Sequence, residues 1–287
     1  MQRKAILALG LAVALGVSLQ GTAATAQEPM ITSEPAEVAT TIEMPGPTQY
    51  KSVPRADVLG AGVNLFSTNL LLGASPGLIG GRAPGVNFGV TANALDLRAD
   101  MGLSPNFELG TGLSYMSTTP WMGQLNMTGK WALIQNQPLS ISGLGGVALT
   151  ADPNGLVNIG LVVGAPLTSA FMIGSNPLVL TVAPQYNIGW NSGNLSAQIP
   201  AGLVANLGFG LGTSLGITDN LFFIADSNLG FPTAGLISDS ALGVRYAFSP
   251  LITADLFLGV KTMPTSFVTR GASNTVSSLG LGTSWRF

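Results

Sequence analysis

The chain ends in Ser277-Ser278-Leu279-Gly280-Leu281-Gly282-Thr283-Ser284-Trp285-Arg286-Phe287, and the alternation in this stretch decides the fold. Leu279, Leu281, Trp285 and Phe287 are apolar, whereas Ser278, Gly280, Gly282, Ser284 and Arg286 are small or polar. A period of two places these sets on opposite faces of a β-strand, one greasy and one wet. A bare aromatic at the carboxyl end is an odd ending in water, where termini fray.

The bulk composition agrees with a strand that meets lipid. Apolar residues make up 46% of the 287 positions and charged residues only 8%, against roughly 25% in soluble domains. Beyond the N-terminus no apolar run reaches the roughly 20 residues of a membrane helix. An apolar, charge-poor chain with 38 glycines suits a structure that faces lipid outside and satisfies its backbone strand to strand.

Cys and His are both absent, which removes disulfides, thiolate sites and imidazole metal sites. The usual general base is missing too, so no catalytic residue, no metal site and no cofactor is expected, and the protein is not expected to be an enzyme. Nothing in a net charge of −2 suggests a nucleic-acid partner.

Arg3 and Lys4 precede an apolar run from Ala5 to Leu19, followed by Ala24-Thr25-Ala26. This predicts a secretory signal peptide over residues 1–26, cleaved before Gln27. Residues 27–55 are rich in Pro, Thr and Glu and lack periodicity, which predicts a disordered periplasmic lead-in. A lumen plug or a partner-binding tail is the alternative.

From residue 56 to 287 the chain alternates. Leu59, Ala61, Val63 and Leu65 suggest a first strand, with Phe66 to Pro84 as a long loop. A second strand runs from Val86 toward Met101 but changes phase: Val86, Phe88, Val90, Ala92 and Ala94 are even, and Leu95, Leu97, Ala99 and Met101 are odd. A bulge near Asn93 to Leu95 restores the outward face. Phe107 to Tyr115 follows. Nine more strands are expected at 123–134, 139–150, 156–165, 178–190, 202–216, 221–229, 239–248, 252–261 and 275–287. The fold class is thus all-β, a transmembrane antiparallel up-and-down β-barrel of about twelve strands, an even number that puts both ends on the periplasmic side. Trp121 and Trp190 belong to one aromatic girdle, Trp285 and Phe287 to the other.

The ending resembles the closing strand of bacterial outer-membrane β-barrel proteins of the porin-like kind. Their assembly machinery reads a terminal Phe, an aromatic two residues earlier and a Gly three before that; here these are Phe287, Trp285 and Gly282. Gly280 stands where that signal usually starts with a polar residue. The short turns at Pro105, Asp219 and Pro250 are similar to the periplasmic hairpin turns of such barrels. The resemblance implies the outer membrane of a bacterial cell, with outer-membrane lipid and the barrel-assembly machinery as partners and a homo-oligomer as an option.

Asp96, Arg98 and Asp100 sit two apart and share the inward face, with Glu108 on the next strand. Lys130, Asp226, Asp239, Arg245, Asp255 and Lys261 are inward by the same phase. Charges lining a lumen either filter ions and solutes or brace the wall as salt bridges. Gly208-Phe-Gly210-Leu-Gly212 reads as strand glycines on the inward face, since no helix follows to make a phosphate loop. The function expected is an outer-membrane channel or small porin for passive diffusion of small solutes; the alternative is a structural or surface-interaction barrel with an occluded lumen. One register follows from the hairpin at Ser249-Pro250-Leu251: cross-strand partners whose numbers sum to 500, among them Arg245 with Asp255 and Asp239 with Lys261.

Overall fold

A computed structural model describes residues 46–47, 49–50, 53–74, 90–116, 122–136, 138–151, 157–191, 202–231, 237–264 and 273–287. The expected signal peptide and residues 27–45 of the expected lead-in lie outside the described residues.

The strands are β1 (Asn64–Ala74), β2 (Val90–Ser104), β3 (Phe107–Met116), β4 (Met122–Asn136), β5 (Leu139–Ala151), β6 (Val157–Gly164), β7 (Leu167–Ile173), β8 (Asn176–Asn191), β9 (Gly202–Gly216), β10 (Leu221–Phe231), β11 (Ile237–Ser249), β12 (Ile252–Pro264) and β13 (Ser273–Arg286). They form one antiparallel sheet of 13 strands that closes through the β1–β13 and β4–β5 pairings. β6 and β7 are two halves of one stave, so the wall is a 12-strand barrel. The split falls at Ala165-Pro166, because proline has no N–H to donate to a ladder. Around the split, Ala165 N–H donates to the Pro184 carbonyl and Ser142 N–H to the Pro166 carbonyl, both at 3.0 Å. The strand expected at 156–165 ends at the split, and β7 continues the same stave beyond Pro166.

Nearly every strand carries an apolar, exposed face. Leu70, Leu72, Leu113, Leu125, Met127, Val147, Leu161, Leu211, Leu258 and Leu281 are all more than a third exposed. A belt of this extent, continuous around the barrel, is incompatible with water and matches the lipid face of a transmembrane barrel. The other face turns to the lumen.

The turns at Pro105, Asp219 and Pro250 lie at the end of the barrel that holds Phe287. Asn64 N–H donates to the Phe287 carbonyl at 2.8 Å, Arg286 N–H to Leu251 and Ala247 N–H to Asn220, each at 2.8 Å. The two-residue turn between β7 and β8, with Gly174 at φ 63°, lies at the same end. Aromatics gather there: Trp131 joins Phe107 edge to face, and Phe66 stacks on Trp285. Trp190 sits at the far end of β8; Trp121 lies outside the described residues.

Three sequence expectations need correction. The first strand is Asn64–Ala74, not the stretch from Val58 to Leu65, and it occupies much of the expected loop Phe66–Pro84. Gly60-Ala61-Gly62 is an exposed turn, with Gly62 at φ 78°, so alternation through it is accidental. Leu59 and Leu65 are 2% and 1% exposed, inside the barrel and not against lipid. Secondly, the ladder runs unbroken through Asn93, Ala94 and Leu95; the shift lies between Val90 and Ala92, opposite Gly73 and Ala74. The extra residue is Thr91, and the phase change falls there. Thirdly, Phe248 does not face Ile252. Ser249 does, and Phe248 is an unpaired bulge residue before a two-residue turn. From Ala247 inward the sum of 500 holds, including Tyr246 with Ala254, Val244 with Leu256 and Gly243 with Phe257.

Candidate functional site

The lumen is crossed by a segment that precedes β1. Pro47, Tyr50, Val53, Arg55, Ala56 and Leu59 are all buried within the barrel. The described part of the stretch expected as a disordered lead-in is therefore an internal strap. Composition misled here: a segment too polar to build its own core gains order from a cavity whose walls already exist.

The wall holds the strap at points from β2 round to β11. At the end that holds Phe287, Gly62 N–H donates to the Gly102 carbonyl at 2.8 Å. Leu59 N–H donates to Glu108 Oε2 at 2.9 Å, and Lys130 Nζ donates to the Asp57 carbonyl at 2.8 Å. Ala56 N–H donates to Thr168 Oγ1 at 2.8 Å, and Thr168 shares a hydrogen bond with Thr181 at 2.9 Å. The strap then folds back, with Tyr50 N–H donating to the Val53 carbonyl at 2.9 Å. The Tyr50 ring lies over the bare backbone of Gly212, and the Val53 methyls lie over Gly210 and beside Ala183. Gly46, at φ 97°, lies against the Arg245 guanidinium.

Wall glycines make room for this. Gly102, Gly210 and Gly212 face inward, and a methyl on any of them meets the strap. Gly208, Gly210 and Gly212 are strand residues of β9, with Phe209 and Leu211 alternating on the exposed face. Two gaps border Tyr50, one toward β10–β12 and one toward Arg245, Asp255 and Phe257. Their volumes are about 10 and 20 Å³, room for one water molecule each.

Six of the charges expected in the lumen form three ion pairs. Arg98 contacts Asp100 at 2.7 Å along β2 and donates to Thr128 at 3.0 Å. Glu108 meets Lys130 at 3.0 Å across β3 and β4. Arg245 holds Asp255 with two hydrogen bonds of 2.8 Å across β11 and β12, the fork geometry that makes such pairs strong. Asp100, Glu108, Lys130 and Arg245 are each at most 3% exposed and Asp226 is 7% exposed. Asp96 lies in register with Asn69 and Ser114, and Asp239 with Lys261. The arrangement braces the wall, and it joins Glu108 and Lys130 to the strap as well.

Sequence reasoning missed Tyr50, Val53, Arg55 and Asp57. Arg55 and Asp57 pair with each other at 2.7 Å, so the strap brings a neutral unit into the lumen. Burial pushes the Tyr50 phenol above its ordinary value, with the Arg55 charge opposing, so the ring enters as a neutral group. Two signals were available. Tyr50 is the one aromatic between residues 27 and 55, and the inward glycines of β9 leave a hollow with no large wall side chain to fill it.

A closed lipid-facing barrel with periplasmic-type hairpins at the end that carries Phe287 is the fold of bacterial outer-membrane β-barrels. No family model matches the chain, and no curated protein matches it in sequence. Solved structures do match in fold. The porin NanC aligns with a TM-score of 0.52 and 12% identity over 76% of this chain and 98% of that one. An outer-membrane channel from Pseudomonas putida F1 aligns with a TM-score of 0.50 and 11% identity over 81% and 98%. The translocator domain of the autotransporter NalP from Neisseria meningitidis aligns with a TM-score of 0.50 and 12% identity over 81% and 91%.

Proposed function

We propose that this protein is an outer-membrane channel for passive diffusion of small solutes, held narrow by its own strap. One observation carries the reading. The wall is lined with glycine where the lumen is fullest, and the filler is a segment outside the barrel ladder. A barrel built only as a scaffold fills its interior with side chains from its own strands. Here hydrogen bonds, two seated side chains and one guanidinium contact hold the filler, each of a strength that thermal opening or a ligand overcomes. The inward charges are of both signs, so weak ion selectivity is expected. No residue has a catalytic role in this reading. Outer-membrane lipid surrounds the belt, and Gly282, Trp285 and Phe287 serve the barrel-assembly machinery; a homo-oligomer through the exposed leucine face is an option.

The second reading is an occluded barrel acting as a structural or surface-interaction protein. It is favoured by the burial of the strap's anchors and by the water-sized gaps beside Tyr50. Conductance of the refolded protein in a planar bilayer separates the two. The channel reading expects small, flickering openings from the full chain and larger steady ones from variants with a loosened strap. Silence from both supports the occluded barrel.

A further inference from the structure

The strap is held in an unusual way: the wall hydrogen-bonds its backbone. Glu108 accepts the N–H of Leu59, Lys130 donates to the carbonyl of Asp57, and Thr168 accepts the N–H of Ala56. These contacts satisfy main-chain groups that any extended polypeptide carries. The described charged side chains of the strap, Arg55 and Asp57, bond each other. Its other anchors are shape-based: a ring over Gly212 and two methyls over Gly210. Both Glu108 and Lys130 are nearly fully buried and already paired, so they form a preset donor and acceptor at fixed spacing.

We propose that this stretch of lumen wall, from Glu108 and Lys130 through Thr168 to Gly210 and Gly212, is an oligopeptide-binding groove whose resident ligand is the strap. The ligand class is a short peptide that folds back between a bulky side chain and a β-branched one three residues later, as at Tyr50 and Val53, and then offers its main chain to the wall, as at Ala56 to Leu59. Its charge pattern matters little. The inference rests on the channel reading only in supposing that the strap leaves the lumen.

Gly60, Ala61 and Gly62 form an exposed turn suited to cutting. A protease site inserted after Ala61 in the full chain lets the folded barrel be cut and washed. A fluorescent synthetic peptide spanning Gly46 to Gly60 is then titrated onto it. The expected result is saturable binding, weakened roughly tenfold or more by backbone N-methylation at Ala56 and Leu59, which deletes hydrogen bonds to Thr168 and to a carboxylate. A peptide with Arg55→Gln and Asp57→Asn should bind within about threefold of the parent, since those two side chains bond each other and, among the described residues, make no hydrogen bond to the wall. A cut fragment that stays on the barrel without covalent attachment is already a peptide bound in trans and supports the proposal. No saturable binding to the emptied barrel overturns it, as does binding that ignores N-methylation but vanishes with the Arg55→Gln, Asp57→Asn peptide. Conductance of the same preparation separates the two readings: an emptied barrel that binds peptide but does not conduct sinks the channel, and one that conducts but does not bind sinks the groove alone.

Discussion

At the scale of single residues, absent side chains matter as much as present ones. Gly102 is the tightest case: a methyl there falls on the carbonyl oxygens of Gly60 and Leu59, with the latter 2.8 Å away. Backbone cannot swing aside as a flexible side chain can. Gly102→Ala is therefore expected to lift the strap's exit from β2 and raise single-channel conductance in a bilayer, with the barrel still folded by gel mobility. Conductance equal to the parent contradicts this. Glu108 has two tasks, accepting the Leu59 N–H and neutralising Lys130. Glu108→Gln leaves a buried ammonium without its counter-charge, and breaking a buried pair costs on the order of 3–5 kcal/mol. The double variant Glu108→Gln with Lys130→Met removes the stranded charge and should recover part of that loss in thermal melts. A double variant less stable than the single would show that Lys130 matters for its bond to Asp57 more than for its charge. The inward set of charges was legible in the sequence because β-strand phase is a strict parity rule. The residues that seat the strap were not, since Tyr50, Val53 and Leu59 follow no period and owe their order to a wall that comes much later in the chain, on strands as distant as β9.

At the scale of elements, the β11–β12 hairpin tests how far pattern reaches. Apolar partners outside and opposite charges inside fix its register, and a slip of one residue turns the apolar face of one strand into the lumen. The pairs Arg245 with Asp255 and Asp239 with Lys261 follow from that alone. The turn itself did not follow: Phe248 bulges out, 67% exposed, and Ser249 pairs with Ile252 instead. A bulge costs no apolar burial when the extra residue meets lipid, so hydrophobic pattern cannot place it. The same holds at Leu103, unpaired between Gly102 and Ser104 and 57% exposed. In β1 the failure has another source. Leu59, Gly60, Ala61, Gly62 and Val63 alternate by chance across a turn, and the true strand starts where Asn64 meets Phe287. Arg245 offers an element-scale prediction. Its guanidinium neutralises Asp255 and lies against Gly46. Arg245→Ala should free the carboxylate and open the lumen beside it, raising cation preference in reversal-potential measurements. Unchanged selectivity in a conducting variant counts against a pore lined by this pair.

At the scale of the whole molecule, the question is whether the strap and the wall separate in function. The chain contains no cysteine, so an engineered pair reports without background. Val53 and Gly210 are the place to put it: a Cβ built on Gly210 lies 3.0 Å and 3.1 Å from the two Val53 methyls. Two cysteines there have their Cβ atoms near the separation a disulfide requires, about 3.5–4.5 Å. Val53 belongs to the strap and Gly210 to the middle of β9, so the bond ties filler to wall across the lumen without touching the barrel ladder. Oxidised Val53→Cys with Gly210→Cys is expected to abolish openings in a planar bilayer, and reductant is expected to restore them. The single variant Gly210→Cys crowds Val53 without locking it, and should open more than the parent in either redox state. Equal conductance before and after reduction, in a preparation where the disulfide is shown by mass to form and break, means that solutes pass without movement of the strap. In that case the water-sized gaps beside Tyr50 do not bound the path, and the strap is a fixed part of the wall.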